Sequence, residues 1–170
     1  MPIDQCPHTF QQLASLRLPE LMAQMRRSMT QAQQMEIFAR AGFGEKSVAK
    51  ELSISGDFPG CYVLIENDVP LYVGISRGVL KRLRQHVLGK THFDASLAYR
   101  MASHAVGHEL ARADAMQHPV VKAEFDAAQT RLRAMRVAFI EIQNDLEIYL
   151  FEAYCAMELD TSVWNTFRTH

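Results

Sequence analysis

The residues Gly60-Cys61-Tyr62-Val63-Leu64-Ile65-Glu66-Asn67-Asp68-Val69-Pro70-Leu71-Tyr72-Val73-Gly74 carry the strongest structural signal in the chain. Two short runs rich in β-branched and aromatic residues flank a polar Asn67-Asp68 pair, which is the pattern of a β-hairpin. Each run carries a tyrosine two residues from a glycine. Register determines whether those phenols work together, because side chains alternate between sheet faces. A two-residue Asn67-Asp68 turn pairs Val63 with Tyr72 and sends the phenols to opposite faces. A three-residue loop, Asn67-Asp68-Val69, puts Tyr62 and Tyr72 on one face. The hairpin alone leaves both registers open, together with a plain packing role for two strand tyrosines.

After the hairpin, Arg77 to Leu88 reads as an amphipathic helix with Leu80, Leu83 and Val87 as its apolar stripe. Ahead of it, Ser53 to Pro59 shifts to Ser, Gly, Asp and Pro, the composition of a linker. Thr9 to about Ala41 has apolar residues at helical spacing and reads as about two helices, with Pro19 suited to a first turn; Lys46 to Leu52 is a short further helix. Downstream, Ala95 to Met116 and Pro119 to Met135 read as helices broken at His118-Pro119. Val137 to Ile142 is a late strand, and Asn144-Asp145 caps a final helix through about Leu159. The expected architecture is α/β of the α+β kind: a small, mostly antiparallel sheet of about three strands flanked by helices. It comprises an N-terminal helical arm over residues 1–55 and a main domain over 56–170 with a helical insertion at about 95–135.

At 170 residues and 48% apolar content the chain can bury one ordinary core. Its 18 basic and 19 acidic side chains nearly cancel, so any site for a polyanion is local rather than global. The cysteines Cys6, Cys61 and Cys155 are odd in number and widely spaced, which argues against a disulfide framework and against a zinc ribbon. No apolar run approaches the roughly 20 residues of a membrane span, and the start lacks a basic segment followed by an apolar one. A cytoplasmic protein without a membrane partner is expected.

Arg82 and His86 sit one helical turn apart, flanking the apolar stripe. Arg77, Lys81, Arg84 and Lys90 surround them as a local basic cluster able to hold phosphates, or to serve as a solvated helix face. Glu152 lies in Ile148-Tyr149-Leu150-Phe151-Glu152-Ala153-Tyr154-Cys155-Ala156-Met157, a helix apolar nearly all round. A carboxylate buried there needs a partner, either Arg82 in an ion pair or a divalent cation. His104 and His108, with Glu109 beside them, fall at i, i+4 but lack the order and third ligand of a zinc site.

Taken together, Gly60-Cys61-Tyr62, Tyr72-Val73-Gly74, Arg82, His86, Glu152 and Asn165 resemble, in order, the motifs of the GIY-YIG nuclease family. The resemblance covers about Pro59 to Asn165, with Cys61 and Val73 in place of isoleucines, a long helical insertion, and Ile75-Ser76 where some members carry a lysine. It implies a metal-dependent endonuclease that hydrolyses nucleic-acid phosphodiesters, DNA ahead of RNA, with Mg²⁺ or Mn²⁺ as cofactor. Tyr62, Tyr72, Arg82, His86 and Glu152 become the catalytic set. Within it Tyr62 is the general base or part of a proton relay, Arg82 neutralises the scissile phosphate, Tyr72 and His86 bond phosphate or water, and Glu152 is the metal ligand. Gly74, Arg77, Lys81, Arg84, Lys90, His92 and Asn165 would line the substrate path. The alternative is a catalytically weak nucleic-acid-binding module with the same residues as a phosphate grip. A homodimer through the N-terminal arm is one arrangement by which such a domain cuts both strands.

Overall fold

A computed structural model describes residues 2–107 and 112–167. The chain forms two compact units, one from Met1–Gln33, Asp57–Val79 and Arg136–His170, the other from Gln34–Gly56 and Leu80–Met135.

The first unit is built on an antiparallel sheet. Strand β2 (Gly60–Glu66) pairs on one side with β3 (Val69–Ser76) and on the other with β4 (Arg136–Glu141). A two-residue strand, β1 (Gln33–Gln34), lies outside β4, so the order is β1-β4-β2-β3. The sheet therefore has four strands among the described residues, where about three were expected. The extra strand is short and polar, which removes both the length and the alternation that would have announced it.

Two helices cover one face of this sheet, α1 (Leu18–Thr30) and one near the end of the chain (Asp145–Glu158). Cys61, Val63 and Ile65 from β2, Val73 from β3 and Ala138 and Ile140 from β4 meet Leu21, Met25, Ile148, Phe151 and Cys155 in one core. Those strand residues fall at alternate positions, as a half-covered sheet requires. Thr9 and Gln12 form a capping box, and Ser28 Oγ donates to the Phe139 carbonyl, tying α1 to β4. The helical run into α1 passes through a π turn, Leu13–Arg17, with Leu18 N–H bonded to the Leu13 carbonyl. A widened turn there accommodates Pro19, whose ring clashes with the carbonyl four residues back in a regular helix.

The second unit is helical. It holds α2 (Glu45–Glu51), α3 (Val79–Leu88) from Leu80 onward, α4 (Ser96–Val106) and α5 (Pro119–Arg133); the C-terminal helix of the first unit is α6. Pairing of α4 with α5 buries Leu97, Ala98 and Met101 with Val121, Phe125 and Leu132. Of the His104, His108, Glu109 group, His108 and Glu109 lie outside the described residues. No helix among the described residues is long and apolar enough to cross a membrane.

Candidate functional site

In the hairpin, Asn67 and Asp68 have φ of 49° and 66°, and Glu66 pairs with Val69. This is the two-residue turn with both central residues left-handed, matched to the twist of the strands. That turn would place the phenols on opposite faces, but the register shifts between Leu64 and Ile65: Ile65 pairs with Pro70 and Leu64 with Tyr72, leaving Leu71 as an inserted residue. A bulge at this point suits Pro70, which has no N–H for the ladder, on an edge strand. Its effect is to restore parity. Tyr62 now pairs with Gly74 and Leu64 with Tyr72, so both phenols stand on one face, ring centroids 6.3 Å apart. The odd residue is in the strand instead of the loop.

Gly74 is shaped by its partner. A Cβ there would lie 2.9 Å from Cε2 of Tyr62 and closer still to its Cζ and Oη. The phenol end of the Tyr62 ring thus fills the space beside the Gly74 α-carbon, and Tyr62 is only 1% exposed, whereas Tyr72 is half-buried. Asn165 fixes the same strand from outside. Its Oδ1 accepts from Val73 N–H at 2.9 Å and its Nδ2 donates to the Val73 carbonyl at 2.8 Å. Tyr62, Tyr72, Gly74 and Asn165 are brought together around a single edge strand.

Glu152 stands elsewhere in this unit. Its helix, α6, packs on the face that carries Cys61, Val63 and Val73, opposite the tyrosines. The carboxyl is half-buried, and desolvation raises its pKa above the ordinary value. Burial raises the Cys61 thiol well above its ordinary value, with the Cys155 thiol and the Glu152 charge adding to the effect, which sets Glu152 near the β2 end of the core. Among the described residues of this unit no basic side chain lies in ion-pair range of Glu152.

The buried carboxylate of α6 is a different one. Glu147 is 4% exposed and is bonded by Arg17 Nε at 2.8 Å, with His8 Nε2 at 3.6 Å. The sequence reading expected the buried, paired acid at Glu152, which is only half-buried; Glu147, five residues earlier, was not singled out. Arg77, 83% exposed on its side chain, pairs with Asp145 at 2.6 Å beside a small pocket lined also by Ile75, Ser76, Ile148 and Tyr149.

The second unit holds Lys81, Arg82, Arg84, His86, Lys90 and His92. Arg82 donates to the Asp94 carbonyl at 2.9 Å and to Ser96 Oγ at 2.7 Å, and Arg84 donates to the Phe38 carbonyl at 3.1 Å. Lys81 and Lys90 are exposed. His86 is fully buried; burial and then the Arg82 charge lower its pKa to about 3, so at neutral pH it is an uncharged imidazole. His92 is half-buried between the rings of Phe93 and Tyr99, with centroids at 3.9 and 5.7 Å. Neither Phe93 nor Tyr99 was singled out by the sequence, although an aromatic beside His92 in Lys90-Thr91-His92-Phe93-Asp94 was a legible signal.

Among the described residues no three His, Cys, Asp or Glu side chains converge as a metal cage. A single half-exposed carboxylate such as Glu152, with no cationic partner among the described residues of its unit, fits the habit of Mg²⁺, which keeps several waters and takes one or two carboxylates. No family model, curated protein or solved structure matches the chain.

Proposed function

We propose that the protein is a metal-dependent endonuclease of the GIY-YIG type, hydrolysing phosphodiester bonds of nucleic acid, DNA ahead of RNA. One observation above all supports this reading: a strand bulge brings Tyr62 and Tyr72 onto one face, over a glycine that admits no side chain.

Hydrolysis needs an oriented water, a proton acceptor and neutralisation of charge on the phosphoryl oxygens. Tyr72, the more exposed phenol, hydrogen-bonds phosphate or the attacking water. Tyr62, buried beside it, belongs to the proton relay and sets the position of Tyr72. Arg82 contributes a permanently charged planar donor suited to phosphate. His86, neutral, contributes a hydrogen bond but no charge. Glu152 would hold Mg²⁺ or Mn²⁺, which when bound supplies Lewis-acid charge neutralisation. Asn165 keeps β3 in place.

The burial of Tyr62 and His86 favours one other reading, a catalytically weak nucleic-acid-binding module on the same scaffold. Supercoiled plasmid incubated with the protein separates the two. Nicked or linear product with Mg²⁺ or Mn²⁺, abolished by EDTA and reduced at least about 10²-fold in Glu152→Gln and Tyr72→Phe, is the expected result. Parent protein that binds DNA in a salt-dependent way yet never cuts would establish the binding module instead.

A further inference from the structure

In the second unit the loop between α3 and α4 is held rigid at both ends. Gln129 Nε2 donates to the Gly89 carbonyl at 2.8 Å, and a Cβ at Gly89 would meet the Gln85 carbonyl oxygen at 2.5 Å and Asp94 Cβ at 2.6 Å, so the chain closes tightly there. Thr91 Oγ1 donates to Asp94 Oδ2 at 2.8 Å and accepts from Asp94 N–H at 3.2 Å. Arg82 fastens the far end through the Asp94 carbonyl and Ser96 Oγ.

This fixed loop displays Phe93 with 74% of its surface in water. A phenyl ring held outward gains little from the hydrophobic effect and serves no core. Its other side is braced: the His92 ring lies 3.9 Å away and Tyr99 stands 5.7 Å behind His92. Lys90 is exposed nearby, with no acidic side chain in ion-pair range among the described residues. One open aromatic face is too small for a protein interface but matches a single nucleobase, and a neighbouring ammonium matches the adjoining phosphate. Ring stacking with a cation alongside is how unpaired strands are gripped without regard to sequence.

We propose that Phe93, braced by His92 and Tyr99, is a stacking platform for an unpaired nucleobase, with Lys90 on the neighbouring phosphate. The inference rests on the nucleic-acid reading of the protein. It adds that the preferred substrate has an unstacked or single-stranded segment. Arg82 then has a second task, since it anchors the loop that presents the platform.

The test is binding of short fluorescein-labelled strands, followed by anisotropy in EDTA: single-stranded DNA, the same strand with its bases replaced by abasic sites, and the matching duplex. Phe93→Ala should weaken single-strand binding about 10-fold or more without changing the slope of log K against log salt, and Phe93→Trp should retain it. Lys90→Ala should reduce that slope by about 0.7. The parent should bind the abasic strand no better than Phe93→Ala does, and duplex affinity should not respond to Phe93→Ala. Because Phe93 is exposed, an unchanged melting temperature verifies that the variants are folded. If the parent binds single strands but Phe93→Ala binds them equally well, the platform is overturned while the nuclease reading stands. If the parent binds no nucleic acid and cuts none, the functional reading itself falls, and the platform with it.

Discussion

Tyr62 and Gly74 face each other across β2 and β3 so closely that the glycine position has no room for a methyl group. Both are deeply buried, so neither ring nor backbone can yield toward solvent. Gly74→Ala should lower stability by about 1–3 kcal/mol, the range for overpacking a well-filled site. In a Tyr62→Ala background the same change should cost much less. Urea denaturation of the four proteins gives the coupling; additive costs would mean that the ring and the glycine are energetically independent.

Glu152 should behave as a site that trades stability for chemistry. Its folded-state pKa is raised by desolvation, so the charged form is penalised in the fold. That penalty is full above the folded pKa and absent below the unfolded value of about 4.3. Glu152→Gln should therefore melt about 1–2 °C higher at neutral pH, a small gain because the group is half-exposed and partly screened by solvent. The gain should fade on acidification toward pH 4.3. Added Mg²⁺ should raise the melting temperature of the parent and leave the variant unmoved.

His86 titrates with the opposite sign. Its folded pKa of about 3 lies below the unfolded value of about 6.5, so the fold favours the neutral ring. Its contribution is complete above about pH 6.5 and is lost as pH falls from there toward 3, at up to about 1.4 kcal/mol per pH unit. His86→Gln should be less stable than the parent at pH 7.5, and the gap should narrow steadily with acid. A gap independent of pH would mean that the fold leaves the imidazole pKa at its unfolded value.

Asn165 makes two hydrogen bonds to one residue of β3. Asn165→Ala should cost about 1–2 kcal/mol and speed amide exchange at Val73 ahead of other β3 positions. Asn165→Asp keeps only the bond from Val73 N–H and sets a charge against the Val73 carbonyl, so it should rescue exchange protection incompletely. Cleavage activity should follow the order of the strand in both variants.

Much of this organisation can be read from the residues. Alternation and the Asn67-Asp68 pair locate the hairpin, Asn144 caps α6 by accepting from Glu147 N–H, and Val137 to Ile142 is observed as β4, Arg136–Glu141. What escapes is what depends on partners far along the chain. An odd residue that puts Tyr62 and Tyr72 on one face can sit in the loop or in the strand, and local sequence does not choose between them. Only the β3 ladder shows Leu71 as the insertion. Likewise, an apolar helix containing three glutamates does not reveal which is buried. The choice of Glu147 follows from Arg17, 130 residues away, leaving Glu152 half-exposed. Gln33–Gln34 carries no apolar pattern at all, so the fourth strand has no signature to read.

The Asn165 amide also guards the protein against itself. An outer strand with bare N–H and C=O groups is a template on which another chain can add, and β3 is such a strand. By occupying both outward groups of Val73, a side chain from the segment after α6 interrupts that template at its middle. Chains shortened before Thr161 should therefore self-associate through β3, turning a question about a nuclease motif into one about solubility.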